Sequence, residues 1–412
     1  MNILKRNHHL LILGFAESVS GVGNWITTLA IYALIVFRGS GDVLESSGVL
    51  LAGLGPMLLC SPVAGWLCDR FDRKRLMIAS EVLSGLVVAG LIFTTRLELI
   101  YALLALQAMA GSIMTPARQS SIPALVGRAD LTRANALLQQ LSSLVKIGAP
   151  ILAGGVLTVL SPHAALVLDV VSFALSALIL SRLPALPPAG RPVPAAAAPA
   201  TKEVPALALA AGLRAAPRLR LLLGTGFAVT LTIMGFDVLS PVFTRDVLRG
   251  GESLFGTLIG LIGLGSVVSA AGLFWRKGSR DPWADLVLGL ALLGVVPLSM
   301  TGAALLPDPA PARWLVMAGC LVGGLGNGLI SVQAGTLLQT LAPAGLLGRV
   351  SGLFQSMLIG GQLVAIVLTP LLVPLLMPAA AYLGLSGLAL LALAGGTALL
   401  VARTAAPAPE LA

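Results

Sequence analysis

Apolar runs long enough to cross a lipid bilayer recur along this chain, and that feature removes most soluble folds from consideration. A helix rises about 1.5 Å per residue, so about 20 apolar residues span a hydrocarbon core about 30 Å thick. Twelve such runs can be drawn, at 10–37, 45–68, 75–95, 98–122, 135–160, 163–182, 218–244, 253–275, 283–306, 312–340, 350–376 and 379–402. Of the residues, 57% are hydrophobic and 10% charged. Soluble domains carry roughly 25% charged residues, so the apolar excess has to face lipid. The expected class is an all-α integral membrane protein with twelve transmembrane helices in two six-helix pseudo-symmetric halves.

Connectors between runs are short, except from Pro184 to Pro217. Pro187, Pro188, Pro192, Pro194, Lys202 and Glu203 cannot sustain a span, so 184–217 reads as a Pro/Ala-rich linker, with a short surface helix over Leu207–Arg214. The expected domains are 1–183, the linker, and 218–412. With the N-terminus in the cytoplasm, 19 of the 26 basic residues fall on the inside. The outer loops hold Arg38, Arg96, Arg245, Arg249 and Arg313, and the spans hold Arg118 and Lys146. That bias follows the positive-inside rule and places the 184–217 linker and both termini in the cytoplasm.

The halves repeat. Gly14, Phe15 and Gly23 recur at one constant offset as Gly226, Phe227 and Gly235. Gln119, Pro123, Gly127 and Arg128 recur as Gln339, Pro343, Gly348 and Arg349. Two such halves suit rocking about a site at the membrane midplane.

Several classes drop out. The net charge of +9 invites a nucleic-acid partner, but the basic residues are scattered over short loops and aromatics are only 5%. Cys60, Cys68 and Cys320 lack metal-ligand or disulfide spacing, and His8, His9 and His163 lie at helix ends, so no metal site is expected. Lys5-Arg6 before an apolar run resembles a signal peptide, but the run continues to Phe37 without a small-residue cleavage site and reads as a retained first helix. No G-x-x-x-x-G-K-[ST] frame is present for an ATP-driven pump, and no catalytic constellation or cofactor motif is recognisable.

The sharpest motif runs from Gly65 to Arg75 between the second and third spans: Gly65-Trp66-Leu67-Cys68-Asp69-Arg70-Phe71-Asp72-Arg73-Lys74-Arg75. Gly65 would let helices approach closely, and Asp69 can cap a helix or pair with an arginine. The motif resembles the cytoplasmic loop signature of the major facilitator superfamily. Thr115-Pro116-Ala117-Arg118, Ala134-Asn135-Ala136, Asp169-Val170-Val171-Ser172-Phe173 and Arg245-Asp246-Val247-Leu248 resemble the branch that includes the enterobactin exporter, macrolide efflux pumps and lysophospholipid transporters. The resemblance covers nearly the whole chain and implies the major facilitator fold and movement of a small solute. Gly148, Pro150, Gly154 and Gly155 resemble the antiporter signature of the fifth helix, with Ala149 where that signature usually has Gly. Many proton-coupled members carry an Arg where this chain has Gln107, and the branch more often shows Gln and Asp where this chain has Glu17 and Asn24.

Ionisable residues in lipid are costly and mark functional sites by default. Glu17 lies roughly 11 Å, and Lys146 roughly 16 Å, in from the cytoplasmic ends of their helices. The expectation is that Glu17 carries a coupling proton and that Lys146 is its counter-charge or binds an anionic substrate; the alternative is a permanent ion pair that only steers packing. A gating role for Gly65, Asp69, Arg70, Arg73 and Arg118 would have Arg118 reach Asp69; a snorkelling surface Arg is the competing reading. Glu81 reads as a partner of the basic loop, Asp169 as a structural or outer-gate residue, and Asp237 as an interfacial residue or substrate ligand.

The leading expectation is a monomeric, multi-pass secondary exporter in a bacterial cytoplasmic (inner) membrane. It would move a hydrophobic or amphipathic small molecule in exchange for protons, and would not be an enzyme. Export of a siderophore-like anion, or carriage of lysophospholipid without strict proton coupling, is the first alternative. A non-transporting membrane sensor is the second.

Overall fold

A computed structural model describes residues 8–39, 41–126, 131–187, 216–275, 281–342, 347–376 and 378–405. Among them the chain is all helix: α1 (His8–Tyr32, continued by a π-helical turn Ala33–Phe37), α2 (Val43–Arg70), α3 (Arg73–Ile92), α4 (Leu97–Gly111), α5 (Met114–Leu125), α6 (Leu131–Val159), α7 (Pro162–Leu180), α8 (Pro217–Asp246), α9 (Glu252–Trp275), α10 (Pro282–Ala304), α11 (Pro309–Leu341), α12 (Leu347–Leu376) and α13 (Ala379–Ala405). By length and apolarity, 11 helical stretches among the described residues suffice to cross a membrane. The surface-helix expectation for Leu207–Arg214 lies outside the described residues.

Local chemistry sets the helix ends. Asp42 and Glu45 form a reciprocal capping box at the start of α2, Asp72 caps α3 through the Arg75 N–H, and Asp281 caps α10 through the N–H groups of Trp283 and Ala284. Pro162, Pro217, Pro282 and Pro309 stand in first turns, where no intrahelical partner for the N–H is needed. The fourth span breaks into α4 and α5 at Ser112–Ile113. Pro116 has no N–H to give the Ser112 carbonyl, and the Ser112 hydroxyl turns back to the Met109 carbonyl at 2.7 Å.

The chain divides into two compact units, Met1–Pro194 with Gly250–Gly260, and Ala195–Arg249 with Leu261–Ala412. In the first, α1 packs on α6 and α7, α3 on α4 and α7, and α2 on α4. In the second, α8 packs on α12 and α13, and α10 on α11 and α13. Repeat glycines make the shared packing physical. A Cβ on Gly14 would meet Leu138 and Leu141 of α6; one on Gly226 would meet Phe354 and Leu358 of α12. A Cβ on Gly23 would collide with Asp169 and Ser172 of α7, and one on Gly235 with Tyr382 of α13. The cores correspond too. Leu10 and Leu138 are buried in the first unit; Leu222 and Val350, set from them by the offset that relates Gly14 to Gly226, are buried in the second.

The exterior is apolar in a way water would not tolerate. Phe93, Leu59, Val159 and Leu305 stand almost fully exposed, as lipid-facing side chains do. Trp66, Trp275 and Trp314 are exposed near helix ends, the level at which aromatic belts form.

Candidate functional site

Within the apolar run of α1, Glu17, Ser20, Asn24 and Thr27 recur at helical spacing and make one polar stripe. Each meets a different helix of the first unit. Glu17 Oε1 lies 3.4 Å from Nε of Arg118 on α5. The Ser20 hydroxyl donates to Glu81 Oε1 on α3 at 3.2 Å. Asn24 donates to the Ser20 carbonyl at 3.0 Å, and its Oδ1 accepts from Gln107 Nε2 on α4 at 3.0 Å. The Thr27 hydroxyl donates to Asp169 Oδ2 on α7, whose Oδ1 accepts from Ser172 at 2.8 Å. The crowding at Gly23 lets Asp169 reach this stripe, since any larger residue there would displace its carboxylate.

Glu17 keeps 27% of its side chain exposed and Asn24 is exposed, so the stripe opens at these two positions. Glu81, Gln107 and Asp169 are buried, Asp169 completely. The arrangement therefore holds three carboxylates and one guanidinium. It can bind and release protons, and it can change the pairing of Arg118 when it does.

Among the sequence candidates, the structure brings Glu17, Asn24, Gln107 and Arg118 together. Arg118 pairs with Glu17, while Asp69 is exposed at the end of α2. The side chain of Lys146 lies outside the described residues. Asp237 on α8 is half-buried, and its carbonyl accepts from the Ser240 hydroxyl at 3.3 Å. Ser20, Thr27, Glu81 and Asp169 complete the site. Small hydroxyl residues in an apolar run pass for helix packing, which hides Ser20 and Thr27 from a sequence reading; their spacing from Glu17 and Asn24 is the available signal.

The loop motif is organised around different residues from those its sequence emphasises. Arg70 lies over the Trp66 ring, 5.5 Å from its centre, at the exposed surface. Arg73 is buried and donates from Nη1 to the Ser120 carbonyl of α5 at 2.8 Å. The chain leaving α7 is fastened here. The Arg73 N–H donates to the Leu186 carbonyl at 2.9 Å, the Leu186 N–H to Asp72 Oδ2 at 2.9 Å, and Lys74 Nζ to the Leu183 carbonyl. A Cβ on Gly65 would face open space, as would one on Gly148 or Gly155. In the antiporter-like stretch Pro150 is buried, and Gly154 makes the close approach, against the backbone of Gly256 within the first unit.

Comparison with known proteins agrees with this build. The chain is 30% identical over 374 residues to "Multidrug efflux pump Tap" of Mycolicibacterium fortuitum, covering 87% of each chain. It is 26% identical over 371 residues to "Enterobactin exporter EntS" of Shigella boydii, covering 88% of this chain and 84% of the relative. It is 27% identical over 358 residues to "Uncharacterized MFS-type transporter YfiS" of Bacillus subtilis, covering 86% and 84%. Its fold matches the nucleoside transporter NupG with a TM-score of 0.73 at 12% identity, over 95% of this chain and 99% of that one. It matches a POT family transporter with a TM-score of 0.74 at 13% identity, over 97% of each. The family model described as Major Facilitator Superfamily matches residues 13–366. With its repeated helical units, lipid-facing exterior and intramembrane polar stripe, the chain belongs to the major facilitator superfamily, a multi-pass membrane transporter of small molecules.

Proposed function

We propose that this chain exports a hydrophobic or amphipathic small molecule from a bacterial cytoplasm in exchange for protons. The two halves, 1–183 and 218–412, work by alternating access, in an inner membrane with both termini cytoplasmic. The observation that carries the reading is the α1 stripe: Glu17, held by Arg118 at 3.4 Å and partly exposed, beside buried carboxylates. A proton arriving on Glu17 neutralises it and frees the Arg118 guanidinium. Departure of the proton restores the pair. An ionisable pair inside lipid with two such states is what coupling of solute to proton requires. The likeness to a multidrug efflux pump supports the substrate class.

A second reading gives Arg118, with Lys146 on α6, the task of receiving an anionic substrate. The likeness to an enterobactin exporter favours it, and the partly exposed Glu17–Arg118 pair supplies a cation for the anion to meet.

Reconstitution in liposomes with an acidic lumen and a luminal pH dye tests both. Lipophilic cations, macrolides, siderophores and lysolipids are added in turn. Proton loss evoked by a cation or macrolide, and abolished by Glu17→Gln, is the expected result. Passage of a labelled siderophore or lysolipid without proton movement would replace the first reading with the second.

A further inference from the structure

Glu17 is not the only carboxylate within reach of the stripe, and the three differ in how their charge is met. Glu17 has Arg118. Asp169 has a hydroxyl donor on each oxygen, Thr27 on Oδ2 and Ser172 on Oδ1. Glu81 has one donor, Ser20, on Oε1. Its Oε2 is buried and has no hydrogen-bond partner among the described residues. Glu81 sits two turns into α3, roughly 12 Å along the helix, which is well inside the hydrocarbon layer.

Among the described residues the charged groups around it do not compensate. Glu17 faces it from α1 and Asp169 from α7, both of its own sign. The charged residues of α2 and α4, namely Glu45, Asp69, Arg70 and Glu98, stand at helix ends, and α5 supplies Arg118, which is bound by Glu17. An ionised carboxylate so placed is an unpaired buried charge, among the costliest groups a fold can hold. A second orphan lies beside it. Ser176 of α7 is completely buried, faces Glu81, and its hydroxyl makes no hydrogen bond among the described residues. A Ser176 hydroxyl turned toward Oε2 would satisfy the two atoms but leave the charge in place; a proton removes that charge as well. A carboxylic acid at Glu81 donates its O–H to the Ser176 oxygen, carries no charge, and still accepts from Ser20.

We propose that Glu81 is a proton-binding site separate from the Glu17–Arg118 pair, occupied in the conformation described here and built from Ser20 and Ser176. Its part in coupling rests on the proton-exchange reading above; its occupancy by a proton does not.

Infrared difference spectroscopy of the whole protein in lipid, at neutral pH, reads the occupancy directly. Wild type is expected to show the carbonyl stretch of a protonated buried carboxyl. Glu81→Gln should remove that band, while Glu17→Gln and Asp169→Asn keep it. A band that survives Glu81→Gln overturns the proposal. Ser176→Ala is the second variant, informative even if Glu81→Gln fails to fold. Loss of the acceptor should move the band to higher frequency, and an unmoved band would remove Ser176 from the site and overturn the geometry proposed. Transport then tests coupling. Glu81→Gln should exchange substrate across vesicles with no acceleration by a proton gradient, whereas wild type is accelerated. A wild type indifferent to the gradient would sink the proton-exchange reading and leave the infrared result standing.

Discussion

Where α1 carries Glu17, Ser20, Asn24 and Thr27, the matching repeat positions of α8 carry Val229, Thr232, Phe236 and Leu239. Val229, Phe236 and Leu239 are buried, Val229 in an apolar cluster with Leu290 and Leu293. The substitution extends to the partners. Pairing the α3 and α10 caps, Asp72 with Asp281, puts Leu290 opposite Glu81, and Leu290 is completely buried. Asp169 at Gly23 has Tyr382 at Gly235 as its counterpart. The Tyr382 hydroxyl lies 3.1 Å from that of Thr369. At these matching positions one helical frame carries ionisable groups in the first unit and apolar side chains in the second, whose own carboxylates Asp237 and Asp285 stand elsewhere on α8 and α10. Apolar side chains satisfy packing at those positions, and proton exchange is the use proposed here for the polar ones.

The largest effect that could break this contrast concerns Glu17 and Val229. Glutamine keeps the shape of Glu17 but cannot take up a proton, so Glu17→Gln should abolish substrate-driven proton loss from liposomes. Val229→Gln should leave proton movement near wild type. If both variants lost it equally, the first unit would have no special claim to the coupling chemistry.

Exchange of the residues at 81 and 290 sharpens the comparison through stability. Leu290→Glu places a carboxyl in a completely buried apolar site and should destabilise by about 3 kcal/mol. Glu81→Leu replaces the protonated carboxyl with a hydrocarbon and gives up its neutral hydrogen bonds. Stability should change by no more than about 1 kcal/mol, while gradient-driven transport is lost. Thermal unfolding in detergent measures the first quantity and vesicle flux the second. A large loss of stability in Glu81→Leu would mean that Glu81 holds the unit together.

Gly23→Ala and Gly235→Ala come next. The new methyl at 23 collides with Asp169 Oδ1 and the Ser172 hydroxyl at once, whereas at 235 it meets one edge of the Tyr382 ring and its hydroxyl. Overpacking costs about 1–3 kcal/mol. Gly23→Ala is expected at the upper end, because it also disturbs the Thr27–Asp169 bond. Equal losses in the two variants would show that the Asp169 cluster adds nothing beyond packing.

How much of this is legible without coordinates follows from what a helical sequence encodes. The apolar run 218–244 matches α8 to within a few residues, because hydropathy reports depth directly. The repeat is visible in Gly14 and Gly226 because close helix contact tolerates little else there. Partners are not visible, since depth leaves helix rotation undetermined. Arg118 and Asp69 share a depth near the loop, yet Arg118 turns to Glu17, far off in sequence on the first helix. Glu81 reads as a partner of the basic loop for the same reason, when it faces Ser20 on another helix. The π-helical turn at Ala33–Phe37, closed by Arg38 N–H to the Ala33 carbonyl, leaves no mark in an apolar run.

The smallest expected effect separates two amides at matching places in the repeat. Gln119 corresponds to Gln339, and the same offset sets Gln107 against Asn327. Gln107 bonds Asn24 of the stripe at 3.0 Å, whereas Asn327 bonds Ser266 of α9 at 3.1 Å. Each bond is one neutral contact, so Gln107→Leu and Asn327→Leu should each cost about 1 kcal/mol of stability. Their transport consequences should part company. Asn24 is exposed on the stripe next to Ser20, whose carbonyl it holds, so releasing it from Gln107 frees a side chain at the open face of the site. Gln107→Leu should therefore shift the substrate KM a fewfold, and Asn327→Leu, with the same small loss of stability, should not. A KM shift in both would place substrate contacts in the second unit as well, and the apolar version of the frame would then be a binding surface rather than a packing solution.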